Sequence, residues 1–384
     1  MIRSRTSFTR ATTMTLAAVA LAACSATSPA LPTPSVQVSV APASPAPTTT
    51  PIASVSPVAE VAPAPKCANR PPPAWVTGAS DPNDGVPDPA GRIVFGQVAY
   101  NDQMMGPIAA PLFAMDADGS DLVQILDCEV SWPRLSPDGG RLALSVMMDD
   151  GTQQIATSAP DGSDLRILTS TAGYADTPDW APDGTWLIYA NSTGHCVSYP
   201  ACTDDGTTRP TLWRIDADGS GERPIGDPAA IDTEPHLSPD GQEVVYDHLE
   251  PNAPFFAFMI RNLATDTVRR VFTEDRDLEH PSWSPDGRAI IYNTLSGPDG
   301  RFLEQIQQVP ADDPTATPEI LYGDASHTGY KPTYSPDGSG IVFGCDGNIC
   351  RMDADGSNVV VLIGDVPGQE LNYPVWGATP TAGG

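Results

Sequence analysis

The chain is poor in basic residues. Lys and Arg total 20 against 48 Asp and Glu, which gives a formal net charge of −28. Nucleic acids and anionic lipid surfaces attract proteins mainly through Lys and Arg. This balance therefore argues against nucleic acid as a partner, whereas a cationic protein, a basic peptide or divalent cations remain compatible with it.

Several motifs of enzyme active sites are also missing. The sequence contains neither a Gly-x-Ser-x-Gly nucleophile elbow nor a His-Glu-x-x-His zinc motif. Its seven cysteines include no Cys-x-x-Cys pair, which weakens the case for a zinc site. We therefore expect a protein that is not an enzyme and that carries no cofactor.

The first 23 residues have the features of a lipoprotein signal peptide. Three arginines precede an apolar run, Met14 to Ala23, which is too short to span a bilayer as a stable helix. The ending Leu21-Ala-Ala-Cys24 resembles the bacterial lipobox, in which signal peptidase cleaves before a cysteine that carries diacylglycerol. The alternative is a plain signal peptide that happens to contain a cysteine. We expect lipidation at Cys24 and a chain anchored to the cell membrane outside the cytoplasm, on the extracellular or periplasmic side.

Residues 24–66 are rich in Pro, Ala, Ser and Thr and carry almost no charge. Proline removes backbone donors and favours extended polyproline II conformations, so this segment is predicted to be a disordered, semi-rigid tether. Residues 67–91 are expected to form a lead-in to the folded domain, and residues 378–384 a disordered tail.

One phrase recurs through the rest of the chain. Its five full copies are WPRLSPDG at Trp132, TPDWAPDG at Thr177, EPHLSPDG at Glu234, HPSWSPDG at His280 and KPTYSPDG at Lys331, and a truncated YPVWG begins at Tyr373. Their leading prolines lie 42 to 57 residues apart. A period in this range marks propellers and other stacked arrays.

Each phrase predicts the inner part of a β-sheet unit. Its end, Ser/Ala-Pro-Asp-Gly, suits a type I turn, and the apolar run that follows suits a strand buried on both faces. A second turn signal follows in most units, as at Asp116-Ala-Asp-Gly119 and Asp353-Ala-Asp-Gly356. Each unit is thus predicted to be a four-stranded antiparallel blade.

The two ends of the repeat region complement each other. Strands predicted at 92–95, 112–115 and 122–126 lack an inner partner, whereas the strand predicted at 373–376 lacks the rest of its blade. Joining them gives a sixth blade and leaves no open seam. The predicted fold is an all-β, six-bladed β-propeller over residues 92–377.

The repeated phrase resembles that of the TolB-type, WD-repeat-like β-propellers over roughly residues 92–377. The resemblance implies a six-bladed ring with the proline-containing strand innermost. It also implies limits, because TolB has an α/β domain where this chain has a tether, and TolB is a soluble periplasmic protein. The known partners of TolB, a peptidoglycan-associated lipoprotein and colicins, are therefore not carried over.

Apart from Cys24, the chain has six cysteines, an even number that favours disulfides in an exported protein. Cys345 and Cys350 bracket a tight turn, and Cys196 and Cys202 lie in one long loop. Cys67 and Cys128 would fasten the lead-in to the junction of the first two blades. Closing that loop of ~60 residues contributes on the order of 4 kcal/mol in the chain-entropy model.

The segments before the inner strands form the predicted contact surface, because propeller loops engage ligands around the channel mouth. The candidates are Arg134, Asp176, Asp179, Asp232, Glu234, His236, Asp277, Glu279, His280, Tyr330, Lys331 and Tyr373. The predicted function is that of a non-catalytic, monomeric binding or scaffold protein. Its partner would be a protein or glycan of the cell envelope, and a cationic one would suit the charge.

Two alternative hypotheses involve a bound metal ion. His236, His280 and His327 could approach one mouth of the channel near several acids, which resembles the metal-binding histidines of propeller polysaccharide lyases such as oligogalacturonate lyase. Their unequal offsets from the prolines count against a ligand set. The Asp-Ala-Asp-Gly turns invite calcium, but they lack the further oxygen ligands of an EF-hand loop. No metal site is therefore predicted.

Overall fold

The structure, a computed structural model, describes residues 63–67, 76, 91–98, 110–192, 209–227, 231–250, 253, 255–272, 277–295, 303–364 and 370–378. The predicted signal peptide, Cys24, residues 24–62 of the tether, and Cys196 and Cys202 lie outside these residues. All the described residues belong to one unit, Glu60–Gly384. None of them forms a helix long and apolar enough to cross a membrane.

Strands account for all of the regular structure in the described residues. In chain order they are β1 (Arg92–Val98), β2 (Ala110–Asp116), β3 (Val123–Leu135), β4 (Leu142–Met147), β5 (Gln153–Ser158), β6 (Arg166–Ile167), β7 (Tyr174–Trp180), β8 (Trp186–Ser192), β9 (Thr211–Asp216), β10 (Arg223–Pro224), β11 (Ile231–Leu237), β12 (Glu243–Leu249), β13 (Ala257–Asn262), β14 (Val268–Arg270), β15 (Leu278–Trp283), β16 (Ala289–Thr294), β17 (Ile306–Pro310), β18 (Glu319–Tyr322), β19 (Gly329–Tyr334), β20 (Gly340–Cys345), β21 (Asn348–Asp353), β22 (Val360–Ile363) and β23 (Glu370–Gly377).

The strands pair in antiparallel groups of four. Three groups are separate sheets, β11 to β14, β15 to β18 and β19 to β22. An 11-stranded sheet contains three more, β23-β1-β2-β3, β3-β4-β5-β6 and β7-β8-β9-β10. The long strand β3 serves two groups, and one parallel pair, Gln153 with Tyr174, links β5 to β7. The predicted all-β fold of four-stranded antiparallel units is confirmed.

The Pro-Asp-Gly turns form because the glycine can adopt a left-handed backbone and the aspartate accepts hydrogen bonds within the turn. The closing glycines all have φ between 67° and 72°, in the left-handed region: Gly139, Gly184, Gly241, Gly287 and Gly338. In the first turn the Gly139 N–H donates to the Ser136 carbonyl over 2.8 Å. The Asp138 carboxylate accepts from the Ser136 hydroxyl (2.6 Å) and from the Gly140 N–H (2.9 Å). The turn is therefore closed by backbone and side chain together.

Buried apolar side chains fill the spaces between neighbouring groups of strands. Six clusters occur in the described residues, and each draws on two groups. In one, Val245 of β12 and Ile290 of β16 pack together. In another, Phe95 of β1 and Phe113 of β2 pack with Val342 of β20, so the first and last groups along the chain also share a core.

The folded part begins before the boundary that the sequence indicated. The composition places residues 64–66 in the tether, but the structure pairs them with β3 and with the end of β4. The Lys66 N–H donates to the Met147 carbonyl (3.0 Å), and the Lys66 carbonyl accepts from the Glu129 N–H (2.9 Å). The Pro-rich composition gave no sign of this pairing, because the segment pairs through backbone groups and needs no apolar pattern.

Two of the three predicted disulfides are present. Cys67 is bonded to Cys128 in β3, which fastens the paired segment to the junction of two strand groups. Cys345 is bonded to Cys350 across β20 and β21, within the buried core. The third predicted pair lies outside the described residues.

Candidate functional site

The first residue of every phrase has a left-handed backbone. Their φ angles lie between 51° and 60°: Trp132, Thr177, Glu234, His280, Lys331 and Tyr373. At each one the strand pairing shifts register, so that this residue and the following proline face a single residue of the next strand. Such a β-bulge re-aims a side chain, and proline tolerates the broken ladder because it has no N–H to donate.

These six side chains line one cleft, although they come from six different strands. We call them the bulge ring. The cleft is completed by four of the prolines that follow, Pro235, Pro281, Pro332 and Pro374, and by Arg134, His236, Ser282 and Thr333. A left-handed backbone costs roughly 1–2 kcal/mol at a non-glycine residue. Strain of this kind persists where the surrounding structure holds it, and it clusters at functional sites.

Three aromatic side chains and one lysine form one side of the cleft. The Trp132 ring stacks on the His280 ring with centroids 5.3 Å apart, and it meets the edge of Tyr373 at 4.7 Å. The Lys331 Nζ lies 3.9 Å from the Tyr373 centroid and 5.1 Å from the Trp132 centroid. Both distances are within the range of a cation–π interaction.

Hydrogen bonds fix the orientation of His280. Its backbone N–H donates to Glu234 Oε2 (3.1 Å), and its Nδ1 lies 3.0 Å from Asn293 Oδ1. Because that amide oxygen only accepts, Nδ1 is the protonated ring nitrogen. The same oxygen accepts the Lys331 N–H (3.1 Å), so Asn293 ties two members of the bulge ring together. Burial lowers the pKa of His280, and its ring is neutral at pH 7.

Acidic groups outnumber basic ones around the cleft. Burial, reinforced by Glu279, raises the pKa of Glu234 to about 8. Burial alone raises the pKa of Asp176 to about 6, and with Glu279 it raises that of Glu304 to about 7. Burial also lowers the pKa of the Lys331 ammonium, against the attraction of the carboxylates nearby. The cleft is thus a partly dehydrated site with an excess of acid.

A second set of polar side chains, two of which line the cleft, links neighbouring strand groups. Asp179 Oδ2 accepts the Leu237 N–H (2.8 Å), and Arg134 Nε lies 3.9 Å from Asp179 Oδ1. His236 Nδ1 accepts the Trp283 N–H (3.3 Å). Burial lowers the pKa of His236, in keeping with this acceptor role of its neutral ring.

The structure gathers only part of the predicted contact surface. The cleft is lined by Arg134, Glu234, His236, His280, Lys331 and Tyr373. Asp176, Asp179 and Glu279 lie just behind these residues and interact with them. Three others do not line the cleft: Asp232 pairs with His248 (2.6 Å), the Tyr330 hydroxyl donates to the Leu371 carbonyl (3.3 Å), and Asp277 acts on Glu279.

Sequence reasoning missed Trp132 and Thr177, although a signal was available. Both stand immediately before a phrase proline, as the other four members of the bulge ring do. His327, grouped with His236 and His280 in the metal hypothesis, is exposed and bonds to Asp324 (3.2 Å) instead of lining the cleft. Within the described residues no three His, Cys, Asp or Glu side chains are grouped to hold a metal ion.

Comparison with known proteins identifies the family. The model of the TolB beta propeller domain matches residues 97–316, more than half of the chain. The chain belongs to the TolB β-propeller domain family. The predicted TolB-like resemblance is confirmed, and four members of the bulge ring, Trp132, Thr177, Glu234 and His280, lie within the matched region.

Two relatives show how far the similarity extends. An uncharacterized protein of Agrobacterium fabrum is 28% identical over 224 residues, which are 52% of this chain and 71% of that protein. The Tol-Pal system protein TolB of Francisella tularensis is 25% identical over 179 residues, 46% of this chain. The matched region spans only 36% of that TolB.

Solved structures of TolB proteins share the fold. TolB from Acinetobacter baumannii has a TM-score of 0.60 and 19% identity, covering 76% of this chain and 67% of its own. A putative TolB from Agrobacterium tumefaciens has a TM-score of 0.50 and 18% identity, covering 76% of this chain and 91% of its own. At these identities the likeness concerns the fold of the TolB-type domain alone.

Proposed function

We propose that this TolB-type protein is a non-catalytic, membrane-anchored binding protein of the cell envelope, which receives a segment of a protein partner in the bulge-ring cleft. The observation that carries the proposal is that six residues with a left-handed backbone, from six strands, direct their side chains to one cleft. Rigid sheets hold these side chains, so a ligand meets a site that is already formed.

A closed six-bladed ring would account for this convergence. Six groups of four strands, with six apolar clusters between them, support the count. Pairing of β23 with β1, as in Ile93 with Trp376, supports closure by the two ends of the repeat region. In this arrangement the phrase strands are innermost, and all six pre-proline residues face the axis.

The proposed location rests on the N-terminal sequence and on the cysteines. A signal peptide at 1–23 and a lipidated Cys24 would place the chain outside the cytoplasm, with the segment up to residue 62 as a tether. The two disulfides fit an oxidising compartment. The name of the Francisella relative, a Tol-Pal system protein, is compatible with a role in the envelope.

Site-specific photo-crosslinking in cells tests the binding face. A benzoylphenylalanine at Thr333, in the cleft, should trap a discrete envelope protein. Benzoylphenylalanine in place of Val360, which is 47% exposed on the outer strand β22, is the matched control. Equal adducts from both positions, or none from Thr333, would contradict the proposed face, and a glycan adduct at Thr333 would contradict the protein partner.

The lyase alternative receives no comparable support. The histidines predicted to bind its metal are not gathered, because His327 lies at an exposed loop position rather than beside His236 and His280 in the cleft. We therefore develop the binding function alone.

A further inference from the structure

An ammonium group already occupies the aromatic side of the cleft. The Lys331 Nζ lies over the Tyr373 ring at 3.9 Å and near the Trp132 ring at 5.1 Å. Ring faces attract cations, more strongly where water is excluded. The protein's own side chain thus shows which group fits here, a compact primary ammonium between two aromatic rings.

Carboxylates from several strand groups surround this ammonium. Those that act on Lys331 are Glu234 of β11, Glu279 of β15, Glu370 of β23, and Glu304 just before β17. One lysine does not balance four carboxylates, and the raised pKa values of Glu234 and Glu304 are consistent with that imbalance. An ammonium group in this place is attracted by all four groups, whether it belongs to Lys331 or to a ligand.

Buried acceptors at the site lack donors. Thr177 lines the cleft and is only 8% exposed, yet its Oγ1 has no hydrogen bond. Asp247, which is 2% exposed and interacts with Glu234, has an unpaired Oδ1. A buried polar atom without a partner costs about 1–3 kcal/mol. These oxygens are unpaired with Lys331 in place, so a ligand ammonium, which brings three donors and no acceptor, can gain hydrogen bonds that Lys331 does not make.

We propose that the cleft binds a lysine side chain of its partner, in the aromatic and acidic place that Lys331 holds in the unbound protein. Lys331 is half-buried and has a flexible four-carbon stem, so its ammonium can move to solvent when the incoming group arrives. This inference rests on the proposed function, since it names the chemistry of the partner at the same cleft.

Calorimetric titration of the full chain in detergent tests the inference. The probes are the peptide acetyl-Ala-Lys-Ala-amide, its norleucine analogue and its Nε-acetyl-lysine analogue. Lys331→Met removes the resident competitor and should tighten binding of the lysine peptide about tenfold, as expected if Lys331 leaves the site free roughly a tenth of the time. The two analogues should not bind.

Two further variants test whether the gain in affinity depends on the site that Lys331 occupies. Arg288→Met removes one positive charge from a turn where the side chain is 85% exposed, and it should leave the affinity of the wild type unchanged. Tyr373→Leu, combined with Lys331→Met, should abolish the gain, because the aromatic face is lost. If Lys331→Met does not fold like the wild type, Lys331→Gln serves the same purpose.

The outcomes separate this inference from the function on which it rests. Equal binding of the lysine and norleucine peptides, or no gain from Lys331→Met over Arg288→Met, overturns the inference. A crosslinked partner at Thr333 would then still support the binding face. An unblocked Ala-Ala-Ala-amide that binds as tightly as the lysine peptide overturns the assignment to a side chain in favour of a terminal amine.

Discussion

The disulfide between Cys67 and Cys128 is expected to stabilise the protein about twice as much as the one between Cys345 and Cys350. The two bonds join residues 61 and 5 positions apart. In the chain-entropy model the loss of unfolded-state freedom grows with the logarithm of loop length. It amounts to about 4 kcal/mol for the long loop and about 2 kcal/mol for the short one at 25 °C.

Replacing each pair by alanine in turn, and following urea unfolding by tryptophan fluorescence, measures both values. Each double variant serves as the control for the other. Loss of packing adds to the destabilisation of the short-loop variant and so works against the expected order. Cys345 and Cys350 are 2% and 1% exposed, whereas Cys67 is exposed and Cys128 is 7% exposed, so the short-loop pair loses more packing. Because packing adds little at the exposed Cys67, a loss of about 2 kcal/mol or less from the long-loop pair would refute the loop-length reasoning.

A local readout accompanies the global one. The amides of Lys66, Glu129 and Asp149 take part in the pairing of residues 64–66 with the sheet. If the disulfide holds this segment in place, their hydrogen exchange should accelerate in the Cys67→Ala/Cys128→Ala variant. Unchanged protection would mean that the backbone bonds suffice without the disulfide.

Three further predictions concern strain, pH and anchoring. Thr177→Gly should stabilise the fold by about 1 kcal/mol, because it relieves a left-handed β-branched residue (φ 52°) with an unpaired hydroxyl. Thr233→Gly, in the regular part of β11, should destabilise it by about as much in the same melts, and equal effects would remove the strain argument. The folded-state pKa of Glu234 is raised to about 8, so its contribution to stability is present below its unfolded pKa and is lost as pH rises towards 8. Glu234→Gln should therefore gain stability relative to wild type between pH 5 and 9, and a constant difference across that range in urea titrations would contradict the shift. Cys24→Ser should move the protein from the membrane fraction to the soluble fraction and abolish labelling by radioactive palmitate, whereas persistent membrane association would argue against the lipobox.

The fold was largely predictable because its information is local and repeated. The apolar runs that follow the phrase form the strands β4, β8, β12, β16 and β20. Turn glycines such as Gly139 have the left-handed φ that their position required. Each of these features depends on a few neighbouring residues, and five copies of the same phrase made the pattern hard to mistake.

The bulge ring was not predictable from the same local rules. A residue before proline favours an extended backbone, and this local rule gives Trp132 and Thr177 a regular strand conformation. Instead both have φ near 50°, because strand pairing resumes one residue out of step beyond the proline. Whether a strand passes its proline by a bulge depends on the partner strand, and no single phrase contains that information.

The sequence by itself determined the strands, the turns, the repeat and the family. Only the tertiary structure decided which side chains meet, since the members of the bulge ring are separated by tens of residues and converge through the packing of six groups of strands. That packing brings the Lys331 ammonium between Tyr373 and Trp132, and it separates His327 from the other histidines. Local preference sets the backbone of each strand, whereas the contents of the cleft follow from contacts distant in sequence.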